Sequence, residues 1–553
     1  MSSTEALTFP CWTEFDSSPD DHAGQYPLGI EAVGMSVVEA HLLPDITNAT
    51  RRARYYSALS WIAVTSAERA TAGGRRVTHG ADQAEWATRL EALVRAATLE
   101  RSAISPVALI GIQRAVRTNS LAASAKVDLT EPDPPPASAF AIAAYGSSFE
   151  FLGLGARDTG TGAIEFSPRA TALAEEFAKS MGSRSASLQR ILESNWRAIP
   201  VADVRQLREA LSIREVPSAS REHALLCELL LNLGPTAHSG ATPSRDSTRA
   251  RSLALILQVA DVAGEDVDAG DIHSVFSTSQ LPSGNAFEAA DGFAQEHAIW
   301  MRYEERQFLK FGLYGLWYAV IDVLKAAGGK AVQPNTMHAS LRLALQSSSK
   351  ASSLFGKGAA RSVRRSAADL FDPVSGTRSA FGKRMLRYQQ ECAQAEELGD
   401  RVAAALALIL MCSSYWHANQ AEMKRDPIGV HRRGGRARLS LASIGSDIQE
   451  RGELSVVELL EWIIDSYVIT QAQRVALSKL RSGQYRFFID REEEGFRIVK
   501  PDPDRLFYKR DADRLRGAFG LMHDLGMLSD FDKGRTTALG RKHWKRIANE
   551  AMR

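Results

Sequence analysis

Residues 296–326 (EHAIWMRYEERQFLKFGLYGLWYAVIDVLKA) repeat apolar side chains at helical spacing without a break, and Gly328 and Gly329 follow as a stop signal. A stripe of that length predicts a long buried helix and requires other helices to cover it. Its aromatics, Trp300, Tyr303, Phe308, Phe311, Tyr314, Trp317 and Tyr318, have the make-up of a base-stacking platform, yet their spacing among leucines fits a packed core better. Residues 402–416 form the longest apolar run, shorter than the ~20 residues that cross a bilayer, and read as a second buried helix. Residues 82–99, with Trp86, Leu90, Leu93, Val94 and Leu99 in phase, extend the pattern, as do Ala- and Leu-rich stretches near 186–233 and 252–262. Strand signals are few and local. The expected fold is mainly α.

At 553 residues the chain exceeds one ordinary core and predicts three or four domains. Residues 128–138 (DLTEPDPPPAS) cannot be helical, because each proline ring fixes φ and removes an amide donor. Residues 234–247 (GPTAHSGATPSRDS) are turn formers, and 429–440 are basic and glycine-rich. These breaks give an N-terminal helical domain over 1–127 and a proline-rich loop with a winged-helix-like module over 128–185. A helical middle region over 186–450 and a C-terminal winged-helix-like domain over 451–553 complete the chain.

The winged-helix reading rests on local order. Residues 485–489 and 496–499 flank an acidic turn ending in Gly495, the pattern of a hairpin. A helix over 514–525, a Gly-Met-Leu exit, a polar turn at 530–534, a short strand over 536–540 and a basic helix over 541–551 follow. The order recurs over 149–179, where Ser167 and Pro168 open a helix as N-cap and first-turn proline. The expectation is a multi-domain helical protein with one or two winged-helix-like modules carrying short β-hairpins.

The most distinctive segment is 28–61, LGIEAVGMSVVEAHLLPDITNATRRARYYSALSW. Pro44 breaks one helix, Thr47 or Asn48 can cap the next, and Tyr55, Leu59 and Ile62 share a face. Arg51, Arg52 and Arg54 then fall in the first turns, where a helix favours anions. They either hold a phosphate with the free amides or pair with carboxylates such as Asp45 or Glu39. The segment resembles an uncharacterised bacterial defence-island protein family with an LFPGT…TRARY(F/Y) motif. The match lies in Leu28-Gly29-Ile30, Leu43-Pro44, Ile46-Thr47, Thr50, Arg52 to Tyr56 and Trp61. Asp45 departs from it, standing where the family commonly has Gly. The resemblance implies a component of an anti-phage system and carries no assigned catalytic residues.

Lys plus Arg (67) and Asp plus Glu (65) nearly balance, so any nucleic-acid surface is a local patch. One candidate gathers Lys424, Arg425, Arg432, Arg433, Arg436 and Arg438 around a Gly-Gly pair. A second gathers Lys533, Arg535, Arg541, Lys542, Lys545 and Arg546 on the wing-like turn and last helix. A weaker third comprises Lys357, Arg361, Arg364 and Arg365, followed by Lys383, Arg384 and Arg387. The helix before the wing offers no dense Arg, Asn or Gln set for base edges, so phosphate or shape contacts are expected.

Catalytic signatures are incomplete. Residues 355–358 (FGKG) lack the spacing and metal-ligating hydroxyl of a phosphate loop, and no nucleophile elbow or H-E-x-x-H helix occurs. His523-Asp524 lacks companion ligands in sequence, and 265–273 (EDVDAGDIH) reads as an acidic loop with Asp271 as a cap. Asp490, Glu492, Glu493, Glu494 and Lys500 only loosely resemble a nuclease cluster. Four scattered cysteines read as reduced thiols and the N-terminus lacks a signal-peptide pattern, so a cytoplasmic setting is expected. The expected function is a non-catalytic DNA-engaging or scaffolding subunit of a multi-protein anti-phage system, without cofactor or metal. DNA and a separate ATPase, helicase or nuclease are its partners. The alternatives are a metal-dependent nuclease with dispersed carboxylates and a protein-only adaptor.

Overall fold

The computed structural model describes residues 27–30, 37–47, 51–72, 80–100, 126–128, 148–157, 163–182, 188–189, 192–193, 198–233, 244–371, 377–419, 441–480, 488–499, 509–511 and 513–552. Among them the architecture is mainly helical. The helices used below are α1 (Arg54–Ala72), α2 (Gly80–Glu100), α3 (Pro168–Lys179), α4 (Val201–Leu211), α5 (Arg221–Leu231), α6 (Arg245–Ala263) and α7 (Ala269–Thr278). They continue as α8 (Ala294–Ala326), α9 (Pro334–Ser347), α10 (Ser349–Phe355), α11 (Val363–Leu370), α12 (Arg378–Gln394), α13 (Leu398–Ala418) and α14 (Leu441–Glu450). After α15 (Val456–Ile463), a π-helical turn at Ile464–Ile469 leads into α16 (Thr470–Leu480), and α17 (Leu515–Asp524) and α18 (Ala538–Ala551) close the chain.

Strands are short and pair two by two, all antiparallel: β1 (Lys126–Asp128) with β4 (Ala198–Pro200), β2 (Gly155–Arg157) with β3 (Ile164–Phe166), β5 (Val267–Asp268) with β8 (Lys533–Gly534), and β6 (Ile489–Glu492) with β7 (Gly495–Ile498). The chain divides into two compact units, each assembled from distant segments rather than from the four successive blocks of the sequence reading. Unit I takes Met1–Val38, His273–Glu288 and His297–Ala512; unit II takes Glu39–Ile272, Ala289–Glu296 and Asp513–Arg553.

Unit I is built around α8 and α13. All seven aromatics of α8 are buried, Trp300, Phe308 and Tyr314 completely, so they form core and not a stacking platform. α13 is long and apolar enough to cross a membrane, but 89% of its apolar window is buried inside the fold. α9, α10, α11, α12 and α14 pack on it. The two central helices approach closely because α8 presents glycines there. A Cβ on Gly312 would lie 2.8 Å from Ile409 Cγ1 and 3.0 Å from the Ala405 carbonyl oxygen, and one on Gly315 would lie 2.9 Å from Ala405 Cβ. The expected hairpin forms, and its first strand runs on past Ile489: β6 takes in Asp490 to Glu492 and leaves Glu493 and Glu494 as the turn, while 485–487 lie outside the described residues. Gly495 fixes that register. Its φ is +134°, and its neighbour Phe496 bonds in both directions with the backbone of Val332, at 2.8 and 2.9 Å.

Unit II packs α1 against α2 and α3, α2 against α4, and α6 against α5 and α18. Ser167 accepts from the Ala170 amide at the start of α3 and Pro168 occupies its first turn, as the sequence signals. At the C-terminus the expected strand over 536–540 shrinks to one bridge, Leu528 to Thr536. Thr537 instead caps α18 by accepting from the Gly540 amide at 3.2 Å, so that helix begins at Ala538, before the expected residue 541.

The helix crossing in unit I is testable. Gly315→Ala gains up to ~1 kcal/mol of helix propensity, but the added methyl must displace Ala405 or Cys392, and overpacking costs ~1–3 kcal/mol. A net loss is expected, read as a lower urea midpoint with an unchanged slope, and Gly315→Val should lose more.

Candidate nucleic-acid interface

The arginines of the N-terminal motif are engaged within unit II. Arg54 is buried, bonding Glu222 at 3.2 Å and the Ser212 carbonyl at 2.6 Å. Arg52 bonds Asp524 at 2.7 Å, and the other oxygen of Asp524 accepts from the Ala53 amide at 3.0 Å, so a residue of α17 satisfies the start of α1. Arg51 pairs with Asp532. The Arg51 and Arg52 guanidinium carbons lie 4.4 and 4.3 Å from the centre of the Phe531 ring, which the two side chains hold at the turn. The Ala53 amide and the three guanidiniums that a phosphate would use are therefore engaged.

Asp45 and Glu39, the expected partners of these arginines, serve others. Asp45 has φ +68° and no exposed side-chain surface; it accepts from Arg249 at 2.6 Å and Arg245 at 2.8 Å. Glu39 pairs with Arg245 and Arg514. Pairing follows three-dimensional neighbours, since a guanidinium reaches whatever carboxylate packing brings near it.

The C-terminal cations separate into two groups. Arg535 bonds Asp266 at 2.9 Å, Arg541 bonds Asp261 at 2.6 Å, and Arg546 bonds Glu550 at 2.7 Å. Lys533, Lys542 and Lys545 are exposed and have no carboxylate partner among the described residues, Lys545 lying over the Trp544 ring. Three of the six cations of this patch thus have carboxylate partners, all with the arginine side chain exposed. Burial, together with Lys542, Arg546 and His223, pushes His543 down to about 4, so it adds no charge to this helix near neutral pH. Asp530 shapes the turn: it accepts from the Asp532 and Lys533 amides at 3.1 and 3.2 Å, which hold its carboxyl below the usual range. The first patch, Lys424, Arg425, Arg432, Arg433, Arg436 and Arg438, lies outside the described residues.

No group of three His, Cys, Asp or Glu side chains stands in a metal-holding arrangement among the described residues. Asp524 is committed to Arg52 and the Ala53 amide, and Glu492 pairs with Arg497 across the hairpin. In the acidic loop, Asp268 and Asp271 each accept the other's amide at 3.0 Å, so the cap is reciprocal. Cys227, Cys392 and Cys412 are buried free thiols, and burial pushes Cys227 up to about 12.

Sequence reasoning passed over an ionic network on α8. Glu304, fully buried, accepts from His273 at 2.6 Å, Ser277 at 3.1 Å and Arg510 at 2.5 Å. Lys310 and Gln307 bond Asp511 at 2.5 and 2.7 Å. Glu305 takes Arg302 at 2.9 Å and also Arg378, whose guanidinium lies 5.3 Å from the Tyr415 ring centre. The signal was present as the charged interruption YEERQFLK inside an aromatic helix. Its partners, scattered from His273 to Asp511, were not visible in sequence. No family model matches the chain, and neither a curated protein nor a solved structure matches it significantly.

Burial alone would raise Glu304, but Arg510 and His273 outweigh it and hold the carboxyl at about 2. A carboxylate depressed from 4.5 stabilises the fold above that pH and loses this contribution as pH falls towards 2. Glu304→Gln should cost ~3–5 kcal/mol at pH 7 and flatten the acid limb between pH 4.5 and 2, measured by urea unfolding at stepped pH. Asp45→Gly relieves a left-handed backbone costing ~1–2 kcal/mol but breaks a buried pair worth ~3–5 kcal/mol. A lower melting temperature is the expected net result, read by calorimetry.

Proposed function

We propose that this chain is a non-catalytic subunit of a bacterial anti-phage system that engages DNA through phosphate contacts, alongside a separately encoded ATPase, helicase or nuclease. The observation that carries the DNA component is the exposed basic face of α18 and its preceding turn. Lys533, Lys542 and Lys545 are unpartnered by carboxylates among the described residues, and Arg535 and Arg541 pair at sites open enough for a phosphate to compete. The order α17, tight turn, α18 supports a winged-helix-like module. Because Arg51 and Arg52 hold Phe531 at that turn, the free cations lie on α18 and beside the turn's tip.

The defence assignment rests on the resemblance of residues 28–61. One structural detail supports it: the position where that family commonly has Gly is occupied here by Asp45 at φ +68°, a conformation glycine adopts without strain. A protein-only adaptor is the competing reading, favoured by Asp261 and Asp266 pairing with two of the five proposed contacts.

Fluorescence anisotropy with a labelled duplex across a salt series tests the reading. Binding should weaken steeply with salt, and Lys533→Ala/Lys542→Ala/Lys545→Ala should reduce the log–log slope by roughly 2–3. An unchanged slope would remove the DNA component, and partner co-purification surviving high salt would favour the adaptor.

A further inference from the structure

We propose that unit I carries a second, independent surface for a nucleic-acid phosphate backbone, formed by the Gly356–Gly358 turn, α11 and α12. It deepens the DNA-engaging reading and rests on it, but uses none of the same residues. The surface begins at Lys357, exposed between Gly356 (φ +77°) and Gly358 (φ +66°), with the Arg361 side chain folded against that turn. α11 buries Val363, Ser366, Ala367 and Leu370 and turns Arg364 and Arg365 outward. The end of α11 is tied to α12 by Arg384, which donates to the Leu370 carbonyl, and by Phe371 packed edge-on to Phe381 at 5.4 Å. On α12 the outward residues near that tie are Lys383, Arg384 and Arg387. Arg384 thus places the cations of α12 beside the C-terminal end of α11, about 7–8 Å along the helix from Arg365.

Three features set this face apart from an ordinary solvated surface. Its carboxylates are few: Asp369 pairs with Arg361, Glu453 with Arg364 and Glu391 with Arg387. Lys357, Arg365 and Lys383 have no carboxylate partner among the described residues. Secondly, Arg364 and Arg365 occupy the first turn of α11, where the helix dipole disfavours cations by ~0.3–1 kcal/mol each. The Val363 and Arg364 amides donate to the Leu454 and Gly452 carbonyls at 2.8 and 2.9 Å, so no bound anion is needed to finish the helix. Both arginines sit against the local electrostatic preference; Arg364 pairs with Glu453, while Arg365 has no carboxylate partner among the described residues. Thirdly, among the described residues none of the large exposed apolar side chains belongs to this turn, α11 or α12. An exposed, cation-rich face without apolar anchors fits phosphates, whose oxygens match the guanidinium fork, better than a protein partner.

The test uses full-length protein, a labelled 40-base-pair duplex and anisotropy at stepped salt. Lys357→Ala/Arg365→Ala/Lys383→Ala removes only exposed cations, so circular dichroism and thermal unfolding should match wild type. Affinity at low salt should fall about tenfold or more, and the log–log slope by roughly 2–3. If this variant binds like wild type while the α18 triple variant weakens, the second surface is wrong and the function stands. If only the unit I variant weakens, the second surface stands and the α18 face falls. If wild type fails to bind at low salt, both fall. Polyglutamate competing as well as duplex per charge would overturn the nucleic-acid assignment in favour of an acidic protein.

Discussion

Buried ion pairs between segments far apart in sequence hold each unit in register. In unit II, Asp45 meets Arg249, Arg54 meets Glu222 and Arg52 meets Asp524; in unit I, Lys310 meets Asp511 and Glu304 meets Arg510. Removing such charges from water is expensive, and each pair is tolerable only while every partner is in place. The arrangement therefore enforces all-or-none assembly: a misplaced helix loses its apolar contacts and also strands a charge. Apolar packing supplies the bulk of the driving force, while these pairs select which packing is allowed.

The same chemistry divides the cations by duty. Most arginines with short, buried contacts are structural, among them Arg54, Arg249 and Arg401, and they sit beside backbone carbonyls as well as carboxylates. Lysines dominate the exposed remainder on α18, as the more strongly hydrated ion should. On α11 and α12 the rule is broken, since Arg365 and Arg387 stand at the surface. Composition alone could not sort these roles, because a near-zero net charge is the sum of both populations.

Much of the fold could be read from the chain because periodicity is local. The aromatic stripe of α8, the apolar run of α13 and the Ser167-Pro168 start of α3 each needed only a few neighbouring residues to interpret. The failures share the opposite cause. The first strand of the hairpin runs on to Glu492, and the hairpin abuts Val332, far away in sequence. Arg51 and Arg52 precede α1, which begins at Arg54, instead of lying in its first turn, and the partners of the three arginines, Asp532, Asp524 and Glu222, come from distant segments, so that Glu39 and Asp45 do not serve them. The charges of α8 had no role legible in sequence, because the residues that pair with them, His273, Arg378, Arg510 and Asp511, are spread across more than two hundred positions.

The bond from the Ala53 amide to Asp524 spans 471 residues. At a synthesis rate of ~5–20 residues per second, its acceptor leaves the ribosome on the order of a minute after its donor. Until then, α1 has an uncapped first turn and Arg52 lacks its carboxylate. Unit II can therefore close only after Asp524 has been made, and the segments synthesised before it wait with their apolar helix faces uncovered, the kind of surface that chaperones shield.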